Sequence, residues 1–150
     1  MFDEQLRDEL LLSMVSGIGP RMRQLLLERF GSAGAILDAP VDQLTEVQGI
    51  GPKTAANIRD ARHSLDPDHE MELCRENNID IIAIDDPCYP RSLREIPDPP
   101  SILFVSGTLE PHDSLSVAIV GSRHCTEYGR RHAKRLAGEL CRAGVVVISG

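Results

Sequence analysis

Apolar positions in the first part of the chain recur at helical spacing. Leu6, Leu10 and Met14 fall four residues apart, and Leu25, Leu26 and Phe30 resume the pattern after Pro20, whose fixed φ suits a first helical position. Gly31 then predicts a C-cap. Residues 32–37 and 41–47 read as helices of one or two turns and residues 52–65 as a longer one, which gives a five-helix unit. Asp66-Pro67, a capping residue followed by proline, predicts the start of a further helix that the Asn77-Asn78 pair ends.

The pattern then changes. Four continuous apolar runs follow, at residues 81–84, 102–105, 117–120 and 145–148, and continuous runs are what strands covered on both faces look like in a parallel α/β sheet. Between the last two, residues 127–143 place Ala133, Leu136, Ala137, Leu140 and Cys141 on one helical face, so the segment reads as strand, helix, strand. The chain therefore divides into an all-α domain, residues 1–66, and the beginning of an α/β domain, residues 67–150. A doubly wound sheet needs further strands and helices to cover it, so this second domain is expected to be incomplete at the C-terminus and the chain to be part of a longer protein.

Composition adds limits. With 41% hydrophobic and 26% charged residues the chain has the make-up of a soluble globular protein. Its apolar runs are far shorter than the roughly 20 residues that span a bilayer, and its start is too acidic for a signal peptide, so a cytoplasmic protein without a membrane partner is expected. Cys74, Cys88, Cys125 and Cys141 form no Cys-x-x-Cys pair, and His63, His69, His112, His124 and His132 form no i, i+4 pair. No metal site is expected; reduced, partly buried thiols are. The net charge of -7 argues at first against a nucleic-acid partner, but its distribution changes the picture. Residues 1–66 carry 7 basic and 10 acidic side chains, residues 67–114 carry 3 and 11, and residues 115–150 carry 6 and 2. Positive charge gathers in the last segment.

Two stretches share one local pattern: VSGIGPRMRQLL at residues 15–26 and VQGIGPKTAANI at residues 47–58. Two glycines flanking one apolar residue permit a tight hairpin, and the helix that follows offers unpaired N–H groups and the positive end of its dipole to an anion. Both stretches resemble helix-hairpin-helix motifs. Gly17, Gly19, Gly49, Gly51 and Lys53 are thus candidates for a secondary contact with DNA or a protein partner. An equally simple reading makes each pair a compact joint between helices, plugged by Ile18 or Ile50.

A sharper signal is VAIVGSRHCTEYGRRHAKRLAGEL, residues 117–140. A strand ends at Val120, and Gly121-Ser122-Arg123 turns the chain at its carboxyl end, where open α/β sheets bind ligands. Gly121 allows close approach of a ligand, Ser122 offers a hydroxyl and Arg123 a planar fork of donors suited to phosphate oxygens. Thr126 reads as the N-cap of the next helix, with Glu127, Tyr128 and Gly129 in its first turn. Arg130, Arg131, Lys134 and Arg135 crowd the N-terminal half of that helix, where positive charge opposes the dipole. They fit an extended polyanion track; they also fit a solvated basic face. The turn is neither Gly-x-Gly-x-x-Gly nor a P-loop. Tyr128 could stack on a base, yet aromatics are scarce, so binding should rest on phosphates, with little sequence preference and steep salt dependence. No catalytic constellation and no cofactor site is read from the chain. Asp85 and Asp86 are adjacent at a strand end, point to opposite faces and make a poor acid/base pair.

The run YPRSLREIPDPPSILFVSG at residues 89–107, then VAIVGSRHCTEYGRR at residues 117–131 and VVVISG at residues 145–150, resembles the DprA/Smf (DNA-processing protein A) family. The hairpin pair before them is similar to the N-terminal domain of many of its members. The resemblance implies an α/β fold: an N-terminal all-α helix-hairpin-helix (SAM-like) domain followed by a truncated Rossmann-like parallel-sheet domain. It implies a non-enzymatic protein that binds single-stranded DNA without sequence preference and loads the RecA recombinase onto it in natural transformation, as a homodimer when full-length. It places Gly121, Ser122 and Arg123 in the DNA groove. Two other functions compete: a nucleotide or nucleoside-phosphate hydrolase on the same Rossmann-like fold, and a pure interaction module built on the helical domain. The Tyr89-Pro90 and Asp98-Pro99-Pro100 pieces also have a structural reading, in which Pro90 starts a short helix and the prolines stiffen the turn into the strand at residues 102–105.

Overall fold

The computed structural model of the chain describes residues 2–109 and 115–149; His112 and Gly150, which figure in the sequence reading, lie outside them. Two compact units emerge, Met1–Glu110 and Pro111–Gly150.

The first unit opens with α1 (Phe2–Met14), α2 (Pro20–Phe30), α3 (Ala33–Leu37), α4 (Val41–Thr45) and α5 (Pro52–Ser64), the five helices expected. Local chemistry sets their ends. Pro20 and Pro52 open α2 and α5 behind extended Gly19 and Gly51; Gly31 closes α2 at φ 86°, its N–H donating to the Leu27 carbonyl; the Ser32 hydroxyl caps α3 by accepting from the Ala35 N–H. One apolar core gathers the helices, with Leu11, Leu12, Leu26, Ile36, Leu44 and Ile58 almost wholly buried. Burying a side chain of this size stabilises by about 1.5–3 kcal/mol.

The two Gly-Ile-Gly-Pro hairpins are copies in geometry. Gly17 and Gly49 hold φ of 96° and 92°, the left-handed region that a side chain disfavours. They also interlock. A Cβ on Gly17 would stand 3.1 Å from Thr54 Oγ1 on α5, and one on Gly49 would stand 2.6 Å from Met22 Cε on α2. Each hairpin is thus closed by the helix that follows the other, and the side chains concerned, Met22 and Thr54, occupy equivalent places in the two copies. Ile50 is buried and Ile18 packs partly buried against the core, as plugs should.

Helix α6 (Pro67–Glu76) follows; the Asp66 carboxylate caps it, accepting from the His69 N–H at 3.0 Å. Asn78, at φ 54°, ends it and leads into β1 (Ile79–Ala83). β1 pairs with β2 (Ile102–Ser106) in antiparallel register, from Ile79 opposite Ser106 to Ala83 opposite Ile102. This corrects the expectation that all four apolar runs lie in a parallel sheet. The reason is the connection: prolines at 87, 90, 97, 99 and 100 prevent the long crossover helix that a parallel return requires, leaving only α7 (Arg91–Arg94). Pro90 does start that helix, as its N-cap. Tyr89 is buried and its hydroxyl donates to the Pro100 carbonyl at 2.8 Å. Arg94 donates to the Asp86 carbonyl at 2.9 Å and lies over the Tyr89 ring, so the Tyr-Pro and Pro-Pro pieces are pinned together.

The second unit holds β3 (Ser116–Ile119), α8 (Glu127–Arg142) and β4 (Val146–Ser149). β3 and β4 are parallel neighbours, Ala118 opposite Ile148, as the strand-helix-strand reading expects. Cover on both faces is not found: Val120 and Ile148 are exposed, and α8 has no buried residue. Ala133, Ala137 and Leu140 are half-buried, but Leu136 is 50% exposed and Cys141 is exposed as well. Two strands at about 4.8 Å spacing form a sheet too narrow to cover a helix about 10 Å across.

Candidate anion-binding turn and basic helix

The chain leaves β3 into residues 120–126 without regular structure. Gly121 does not need positive φ, and a Cβ there would meet nothing within 4 Å. Among the described residues neither backbone conformation nor packing demands a glycine at this place. The Ser122 Oγ accepts the His124 N–H at 3.3 Å, a local turn that still leaves its own O–H to donate. Arg123 is exposed and, among the described residues, has no hydrogen bond or ion pair. The guanidinium is not locked to an internal carboxylate.

Thr126 is the N-cap of α8, its backbone extended and its hydroxyl accepting from the Gly129 N–H at 3.1 Å. Glu127 in the first turn complements the dipole. Of the helix's cations, Arg130 stands 3.7 Å from Glu127 and Arg135 pairs with Glu139 at 3.0 Å. Arg131 and Lys134 are exposed and make no ion pair among the described residues. Tyr128 is 70% exposed and lies outside the core formed by the described residues. Its ring meets that of His132 at 4.1 Å between centroids, tilted by 44°. The sequence reading passed over His132; its place one helical turn after Tyr128 was the available signal. Gly121, Ser122, Arg123, Thr126, Tyr128, Gly129, Arg130, Arg131 and Lys134 thus all fall on one exposed turn and the helix it opens.

In the first unit, Gly19 and Gly51 cap α2 and α5 without a side-chain bond, and Arg21 and Lys53 project, exposed, from the first turns. Among the described residues no three His, Cys, Asp or Glu side chains gather in a way that could hold a metal ion, and no helix is long and apolar enough to cross a membrane. The four thiols are free. Only Cys74 is buried, where loss of solvation pushes its thiol up; Cys88, Cys125 and Cys141 are exposed, against the expectation of partial burial.

Tandem Gly-Ile-Gly-Pro hairpins, ahead of an α/β unit whose first strand runs into an exposed Gly-Ser-Arg turn, define a class: helix-hairpin-helix proteins that carry a Rossmann-like unit. A family model described as DNA recombination-mediator protein A matches residues 80–150, and one described as a SAM-like helix-hairpin-helix tandem matches residues 8–63. The Smf protein of Synechocystis sp. is 34% identical over 142 residues, which is 92% of this chain and 36% of that protein. The DNA processing protein DprA of Bacillus subtilis is 39% identical over 77 residues, 51% of this chain and 26% of that protein. The UvrABC system protein C of Haloarcula marismortui is 43% identical over 60 residues, 39% of this chain and 10% of that protein. The chain belongs to the DprA/Smf, or DNA-processing protein A, family, and spans little more than a third of the length of the Synechocystis relative.

Proposed function

We propose that this chain is the N-terminal part of a cytoplasmic protein that grips the phosphate backbone of single-stranded DNA and loads the RecA recombinase onto it in natural transformation. It works by binding, without catalysing a reaction, and as a homodimer when full-length. On this reading residues 1–66 are a helix-hairpin-helix domain and residues 67–150 the first part of a Rossmann-like DprA domain. Gly121, Ser122 and Arg123 hold one phosphate, while Thr126, Tyr128, Gly129, Arg130, Arg131 and Lys134 carry the strand onward along α8. Gly17, Gly19, Gly49, Gly51 and Lys53 supply a secondary contact to DNA or a partner.

The observation that carries the proposal is Arg123, an exposed guanidinium without a partner among the described residues, two residues after a glycine that no packing among those residues requires. A free planar fork of donors at the carboxyl end of a parallel strand matches a phosphate diester. The test is anisotropy of a labelled single-stranded oligonucleotide across a salt titration with the full-length protein. Affinity should fall steeply with salt, and Arg123→Ala should weaken it and reduce the log–log slope by about 0.7, the share of one phosphate on a single strand. Binding unchanged in that variant removes the turn from the site, and steady turnover of a nucleoside monophosphate would replace the proposal with a hydrolase.

A further inference from the structure

We propose that the Tyr128–His132 ring pair on α8 is a nucleobase-stacking site, one that takes an unpaired base and so gives the phosphate turn its preference for single strands. The inference rests on the phosphate-binding reading and adds a base contact to it.

Tyr128 sits in the first turn of a helix whose entry is fixed by the Thr126 cap, yet 70% of it faces solvent. A large ring left outside is not explained by packing. His132, one turn on, leans on it at 4.1 Å and 44°, which holds the tyrosine in place while leaving much of its surface open. A ring ordered in advance loses less rotamer freedom when a base stacks on it. Arg131 lies three residues after Tyr128, on the same side of the helix, and is exposed without an ion pair among the described residues. A ring flanked by a free cation matches the repeat of a nucleotide strand, base beside phosphate. Duplex bases already stack on both faces and cannot offer one without being pulled out. His132 is a positioning residue here: it holds the ring that touches the base.

The sequence makes the test direct, since it contains no tryptophan and two tyrosines, of which Tyr89 is buried. The chain is titrated at low salt with a thymidine oligonucleotide, an abasic strand of equal length and a duplex, following anisotropy and tyrosine emission together. The thymidine strand should bind about fivefold or more tighter than the abasic one and quench the emission, which the abasic strand should not. Tyr128→Leu should bring the thymidine and abasic affinities to the same value and abolish the quenching; a thymidine preference that survives in this variant overturns the stacking site. His132→Ala should shrink it and His132→Phe should restore it, with thermal midpoints unchanged because both side chains are exposed. Equal affinity for thymidine and abasic strands overturns the stacking site and leaves the phosphate reading standing. If neither strand binds to this chain or to the full-length protein, both fall.

Discussion

Glu9 on α1 and Arg23 on α2 form an ion pair inside the helical unit, their side chains only 7% and 10% exposed. The Arg23 Nε lacks a hydrogen-bond partner among the described residues, so the pair is incompletely satisfied. Two charges removed from water gain little net stability from each other, but stripping one partner leaves the other buried and uncompensated. Arg23→Met should therefore lower unfolding stability by about 3–5 kcal/mol, and the double change Glu9→Leu with Arg23→Met should recover most of it, as read by urea denaturation. Sequence alone did not reveal this pair. A glutamate and an arginine on amphipathic helices look like surface residues until the helices are placed. Tyr89 was half legible: its proline neighbour announced a turn, but the bond to the Pro100 carbonyl depends on a fold-back that only the antiparallel pairing creates. The contact of His132 with Tyr128 was foreshadowed only by their i, i+4 spacing, which many exposed pairs share without touching.

The helices were legible nearly to their ends. Pro20, Gly31, Pro52, Asp66 and Thr126 act through their own backbone and side-chain chemistry, which no distant contact overrides. Strand positions were legible too, but strand direction was not, because an apolar run states burial and says nothing about how the chain returns. Helix pairing was likewise hidden: Arg7 on α1 reaches Asp68 on α6 with two bonds of 2.8 Å. The hydrogen bonds from Arg7 hold the Asp68 carboxyl below its usual value, outweighing the opposing effect of desolvation. A lowered folded-state pKa means the stabilisation is present above the ordinary aspartate value and fades as pH falls through the folded one. Thermal midpoints of the protein and its Asp68→Asn variant should therefore differ near neutral pH and converge as pH falls below the ordinary aspartate value; a gap that persists in strong acid would assign the effect to something other than this carboxylate.

For the whole chain, a net charge of -7 conceals a division of labour in sign, since residues 115–150 hold 6 basic and 2 acidic side chains. The exposed turn and α8 lie within that segment, so the candidate site was legible as a place while its actors were only partly so. Arg123, Arg131 and Lys134 are free among the described residues, whereas Arg130 and Arg135 face glutamates on their own helix. A run of apolar residues reports what a strand can bury, not how many neighbours these 150 residues supply, and β3 and β4 lack two-sided cover among the described residues.

The crossed closure of the two hairpins reaches further than packing. Since Gly17 is finished by Thr54 and Gly49 by Met22, neither half of the helical unit carries its own keystone. Cutting the polypeptide between Asp38 and Pro40, outside both motifs, should yield two pieces whose summed helicity by circular dichroism falls well short of the intact chain's and recovers when they are mixed. A pair of such pieces would behave as an obligate heterodimer, and either one folding by itself would show that the crossed contacts are ornament.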